Sequence, residues 1–240
     1  YLRRLVGSAR FTFGLSFVMD DPEGVAPDAA RPALVFSRHA GAGDSLLLVN
    51  AVLNGDPPRR PKIVLKDLLQ LDPTIDVLLN RVGAAFVPST GRAGDLVTAA
   101  IARMAREADA RDALVLFPEG GNFTEGRREK AIAKLEQIGR SDLADRAENL
   151  ERLLPPKVLG VSTAIDAAPT AMVVFVGHAG LERLSSARDI WKNVPMDHTI
   201  RIRIWRVPAE DVPPMPERET WLYEQWEAID EWLGGVAASD

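Results

Sequence analysis

Five short apolar runs constrain this 240-residue chain more than any other feature. They are Ala33–Phe36, Lys62–Leu65, Ala84–Val87, Ala113–Phe117 and Ala171–Val176, each followed by a polar residue, a proline or a glycine. Runs that short and, Lys62 apart, that uniformly apolar read as strands buried on both faces. Between them lie stretches with helical spacing. Leu46 to Leu53 is one, and a second starts at Asp72-Pro73 with Ile75, Leu78 and Leu79 on its apolar side. A third runs from Gly94-Asp95 to about Asp109, with Val97, Ile101 and Met104 on one stripe. Strand alternating with helix predicts an α/β fold, a mostly parallel central sheet flanked by helices on both faces.

The remaining chain is read by the same periodicities. Lys130 to Leu154 is charged and helical, divided at Gly139-Arg140-Ser141. Thr199 to Val207 alternates Ile200, Ile202 and Ile204 against Arg201 and Arg203, which predicts a half-exposed strand at a sheet edge. Glu217 to Leu233 reads as an amphipathic helix with Leu222, Trp226, Ile229 and Leu233 at helical spacing; Trp221, Trp226 and Trp232 are read as packing.

In a parallel sheet, ligands sit beyond the carboxyl ends of the strands. His39, Ser89 and Glu119 each follow such an end, so the three are expected along one rim. His39 opens a turn punctuated by Gly41 and Gly43, and Asp44 lies five positions on, before the first apolar helix. Glycines there allow a sharp reversal. The Asp44 carboxylate is then placed to take one imidazole N–H, leaving the other nitrogen for a substrate proton. The same pattern also suits a capped helix, with Asp44 near its N-terminus and His39 hydrogen-bonded in a loop. A dinucleotide fingerprint fits poorly, since Leu46 takes the place of the third glycine and no acidic residue ends the next strand. No Gly-x-Ser-x-Gly elbow supports a serine hydrolase.

Composition removes further classes. With no cysteine, disulfides, a thiolate nucleophile and a Cys-based zinc site are excluded, and three widely spaced histidines speak against a histidine-rich metal site. A net charge of −5 argues against a general nucleic-acid binder. Two basic islands, Arg59/Arg60/Lys62/Lys66 and Arg127/Arg128/Lys130/Lys134, suit either a phosphorylated ligand or ordinary solvated surface. No run approaches the roughly 18 apolar residues of a membrane span. The chain starts at Tyr1, so a preceding piece is expected; Tyr1 to Met19, apolar with Arg3, Arg4 and Arg10 beside it, reads as an interfacial anchor or as a core helix and strand.

Three blocks together carry a resemblance: His39-x4-Asp44, Gly83-Ala84-Ala85-Phe86-Val87-Pro88 and Phe117-Pro118-Glu119-Gly120. The chain resembles the glycerolipid acyltransferases over about Ala33 to Val176, in particular the 1-acylglycerol-3-phosphate and related lysophospholipid acyltransferases. Lys66-Asp67-Leu68 falls where that family often has a Lys-x-x-Leu segment. Glu119 to Glu125, followed by a charged helix and Leu154-Pro155-Pro156-Lys157, looks most like the lysophospholipid and lysocardiolipin branch. Two positions differ. Gly121-Asn122-Phe123 stands where many members have Thr-Arg-Ser, and Ser89 where the second block often ends in Arg, with Arg92 three residues on.

The resemblance implies transfer of a fatty acyl group from acyl-CoA or acyl carrier protein to a lysophospholipid hydroxyl, at a membrane surface, without a cofactor. It implies His39 as general base and Asp44 as its orienting group. Glu119, with Gly120, either binds the glycerol hydroxyl or holds the loop by accepting backbone N–H bonds. Lys66, Arg92, Arg127 and Arg128 become candidate phosphate contacts, and backbone N–H groups of Gly41–Ser45 candidate oxyanion donors. The expected organisation is an N-terminal apolar segment and loop over 1–31 and an acyltransferase domain over 32–240, peripheral at the inner face of a membrane. A non-catalytic lipid-binding or scaffold protein on the same fold is the rival expectation.

Overall fold

The computed structural model describes residues 7, 14, 16–21, 25–40, 42–66, 85–87, 93–181 and 199–238, with the backbone alone at 42–46, 64–66, 85–87 and 93. Its strands are β1 (Ser16–Asp20), β2 (Ala33–Ser37), β3 (Arg60–Lys66), β4 (Ala85–Val87), β5 (Asp112–Leu116), β6 (Met172–Ala179) and β7 (Thr199–Val207). The helices are α1 (Ala42–Asn54), α2 (Ala93–Arg106), α3 (Glu125–Gln137), α4 (Ser141–Glu148), α5 (Val158–Ala167) and α6 (Glu217–Ala237). The expected helix at Asp72-Pro73 lies outside the described residues, as do Ser89 and Arg92.

Among the described residues the strands form one sheet in the order β1-β7-β6-β2-β5-β3-β4. Every neighbouring pair is parallel except β6 with β7. The fold is α/β with a mostly parallel mixed sheet and flanking helices, as the alternation of runs predicts. β2 and β5 sit at its centre and are buried along their whole length. That burial follows from helices on both faces. Leu34, Phe36, Leu114, Leu116 and Phe175 pack on one side in a core that also takes in Ile101 of α2, Val161 of α5 and Trp226 of α6. Ala33, Val35, Ala113, Val115 and Ile63 face the other side with Val49 of α1.

Two expectations about the elements are corrected. β7 is not an edge strand. β1 pairs with it in parallel, from Ser16 opposite Thr199 to Asp20 opposite Arg203, and is itself the edge. Arg203, one of the two arginines that made β7 look solvated, lies 3.7 Å from Asp20 of β1, and Arg206 donates to Asp21 just beyond that strand at 2.5 Å. β1 carries the exposure instead, with Val18 and Met19 open to solvent. The second correction is α5, for which the sequence pattern predicts no element. It lacks a polar face and a side-chain cap, so neither period nor capping chemistry marks it.

The first basic island is structural where the described residues show it. Asp112, buried at the start of β5, accepts Arg60 Nε at 2.8 Å and lies 3.0 Å from Lys62 Nζ. Arg59 donates to the backbone carbonyls of Arg31, Ala110 and Asp28. These contacts gather at the amino ends of β3 and β5, where the register sets Arg60 opposite Asp112. They are at the opposite end of the sheet from the carboxyl rim. Burying Asp112 is tolerable because two cations and the Asp109 N–H surround it.

Candidate active site

β2 and β5 are adjacent and parallel, with Phe36 opposite Leu116, so the chain leaves both strands at the same rim. His39 stands two residues past the end of β2, and Glu119 three past the end of β5. The Glu119 carboxylate bridges the two exits. Its Oε1 accepts the backbone N–H of His39 at 2.7 Å, and its Oε2 accepts the backbone N–H of Leu154 at 2.9 Å. Phe117, between β5 and Glu119, lays its ring against the His39 imidazole with centroids 4.7 Å apart. His39 is half-buried and Glu119 buried.

Burial pushes the Glu119 carboxyl up to about 7; the two backbone N–H bonds and the charges of Arg38 and His39 pull the other way. A buried carboxylate is costly unless hydrogen-bonded, and here both oxygens have donors. Of the two roles the sequence left open for Glu119, the geometry matches the acceptor of backbone N–H groups.

The Leu154 segment that supplies the second donor is itself held from α6. Asp230, buried, accepts the backbone N–H groups of Arg152 at 2.7 Å and Glu151 at 3.1 Å. Trp226 Nε1 donates to the Leu154 carbonyl at 3.1 Å. Beyond it, the Lys157 N–H donates to the Pro118 carbonyl at 2.9 Å. Gly120 follows with a φ of +68°, and a Cβ there would come within 2.9 Å of Lys157 Cε. Both the dihedral and the close approach of that lysine favour glycine.

On the other flank Arg38, buried beside His39, donates through Nη1 to the His178 carbonyl at 2.7 Å, while His178 Nε2 lies 3.3 Å from the Arg38 carbonyl. β6 is thereby tied to β2 at the same rim. Arg38, Phe117, Leu154 and His178 were not singled out as site residues from the sequence. Phe117 and Leu154 stood within the blocks that carry the resemblance, and Arg38 carried a signal as a charge directly continuing a buried strand.

Asp44 is the third residue of α1, the helix that starts at Ala42 just beyond His39, and its side chain lies outside the described residues. Lys66 closes β3 at the carboxyl rim with its side chain likewise outside them. Arg127 and Arg128 lie at the start of α3, whose Thr124 cap accepts the Arg127 N–H. Arg127 is exposed and donates to the Asn122 carbonyl at 3.0 Å, on the loop after Gly120. Arg128 points elsewhere: it donates to Glu125 at 2.7 Å and to the carbonyls of Glu148 and Leu150 at 2.6 and 2.5 Å. Its fork closes the C-terminus of α4, as arginines do at helix ends.

A histidine whose backbone N–H is held by a buried acid across adjacent strand exits, with a helix starting just after it, makes this part of the sheet rim the candidate site. The family model for acyltransferases matches residues 20–175, and the chain belongs to the acyltransferase family. No curated protein matches the sequence. Among the described residues, no helix is long and apolar enough to cross a membrane.

Proposed function

We propose that this acyltransferase moves a fatty acyl group from acyl-CoA or acyl carrier protein to the free hydroxyl of a lysophospholipid such as 1-acylglycerol-3-phosphate. His39 takes the hydroxyl proton as the oxygen attacks the thioester carbon. Asp44, in the first turn of α1, orients the ring and stabilises the imidazolium. The oxyanion is met by backbone N–H groups at the N-terminus of α1. When the intermediate collapses, the C–S bond breaks and the thiolate leaves with the proton that His39 carried.

Glu119 acts as a positioning residue, with Gly120 giving its loop the required turn. Arg127 contacts the acceptor phosphate, with Lys66 and Arg92 as further contacts. Arg128 is assigned to bracing α4 instead. The protein would work peripherally, at the inner face of a membrane, as one enzyme of phospholipid biosynthesis.

The observation that carries this reading is the bond from the His39 N–H to Glu119, in a chain of the acyltransferase family. It supports a histidine held in place at the point where two central strands open onto the rim. Incubation with mixed acyl-CoAs and mixed lysophospholipids, followed by mass spectrometry, tests it. A diacyl product that is lost in His39→Ala is expected; the absence of any acylated lysolipid from the wild-type protein would overturn the reading.

A further inference from the structure

The connection between α4 and α5, residues 149–157, is neither helix nor strand, and three of its backbone N–H groups end on buried carboxylates. Glu151 and Arg152 give theirs to the two oxygens of Asp230, and Leu154 gives its own to Glu119. Pro155 and Pro156 follow, with no N–H to satisfy. A buried backbone donor needs an acceptor, and a carboxylate makes the bond charge-assisted and strong.

We infer that, given the reading of His39 as the base, Asp230 and Trp226 of α6 are positioning residues for acyl transfer, acting on His39 through Leu154 and Glu119. They stand four residues apart and so share one face of the helix. Asp230 fixes the connection two and three residues before Leu154, and Trp226 Nε1 fixes the Leu154 carbonyl itself at 3.1 Å. The Leu154 N–H then sets Glu119 Oε2 at 2.9 Å, and Glu119 Oε1 sets the His39 N–H at 2.7 Å.

The two oxygens of Glu119 belong to one planar group. A shift of Leu154 therefore turns the carboxylate and moves the acceptor that holds His39. Leu150 and Leu153, fully buried, pack in the same core as Leu222, Trp226, Ile229 and Leu233 of α6, so helix and connection are seated together. Misplacing a reacting group by about 1 Å, even from a distance, can cost on the order of a hundredfold in rate. α6 begins at Glu217, past the stretch 20–175 matched to the family, so its two residues act on the site from outside that stretch.

Kinetics of Asp230→Asn test the relay, because one acceptor oxygen becomes an NH2 group facing the N–H it used to accept. With mixed acyl-CoAs and lysophospholipids as substrates, kcat should fall about tenfold or more while both KM values stay within about twofold. Leu222→Ala, a core truncation on the same helix, should lower the melting temperature too, yet leave kcat within about twofold. In a Glu119→Gln background, Asp230→Asn should add little, as expected of groups that act in series. A kcat loss no larger than that of Leu222→Ala, or one that adds in full to that of Glu119→Gln, overturns the proposal.

Hydrogen exchange needs no substrate and so tells a failed relay from an absent reaction. The His39 amide should exchange about tenfold faster in Asp230→Asn, with the Val35 amide of β2 as protected as in wild type. An unchanged rate at His39 overturns the proposal. If Asp230→Asn fails to fold, Trp226→Phe, which deletes the donor to the Leu154 carbonyl, is judged by the same criteria.

Discussion

Glu119 Oε1 accepts the backbone N–H of His39 at 2.7 Å, joining the exits of two central strands. Its other oxygen takes the Leu154 N–H, so one buried side chain sets three segments. Glu119→Ala removes both acceptors and leaves two N–H groups without them. With about 1–3 kcal/mol for each unsatisfied group, a loss of about 3 kcal/mol in unfolding free energy is expected. Denaturant titration measures it, and a loss below about 1 kcal/mol would contradict the clasp.

The same residue makes stability depend on pH. Burial raises Glu119 to about 7 from its ordinary value of 4.5. Between those values the folded chain holds a proton that the unfolded chain has released, so stability falls as pH rises and levels off above 7. The full swing is on the order of 3 kcal/mol. Glu119→Gln cannot titrate, so the stability of wild type relative to this variant should drop by about 2–3 kcal/mol from pH 5 to pH 8. A constant difference would show that the carboxyl ionises normally.

Gly120→Ala places a Cβ at a φ of +68° and against the Lys157 side chain. A cost of about 1–2 kcal/mol is expected from the dihedral alone. Because the turn sits next to Glu119, acyl transfer should fall with it. Thermal melts and turnover on the same preparation check both, and unchanged values for both would contradict the account.

The two neighbouring arginines should separate. Arg128→Ala strips the brace from α4 and should cost about 1–3 kcal/mol of stability, with the acceptor KM unmoved. Arg127→Ala should raise the acceptor KM more than it lowers kcat. Steady-state kinetics distinguishes them, and an unchanged acceptor KM in Arg127→Ala removes that residue from the phosphate contact.

Much of this arrangement was legible in the chain. The buried strands and their alternation with helices follow from period and apolar runs, and the division of α3 from α4 falls between Gln137 and Ser141 around the expected Gly139-Arg140 break. The position of β7 was not legible, because Arg201 and Arg203 alternate as solvent-facing residues do, and the strand that pairs with its outer side, β1, is far away in sequence. His39 and Glu119 were legible as residue types on one rim, but not as a clasp. The donors to Glu119 are backbone groups of His39 and Leu154, which carry no side-chain signature. The role of Arg128 was hidden for a similar reason: its partners are carbonyls on the next helix and beyond.

The central claim is that His39 is the general base of acyl transfer. The most direct measurement is the turnover of acyl-CoA with a lysophospholipid acceptor by His39→Ala, with circular dichroism to verify the fold. General-base catalysis is worth about 10²–10⁴-fold, so a fall in kcat of that size with an unchanged spectrum is predicted. Turnover near the wild-type value would contradict the account.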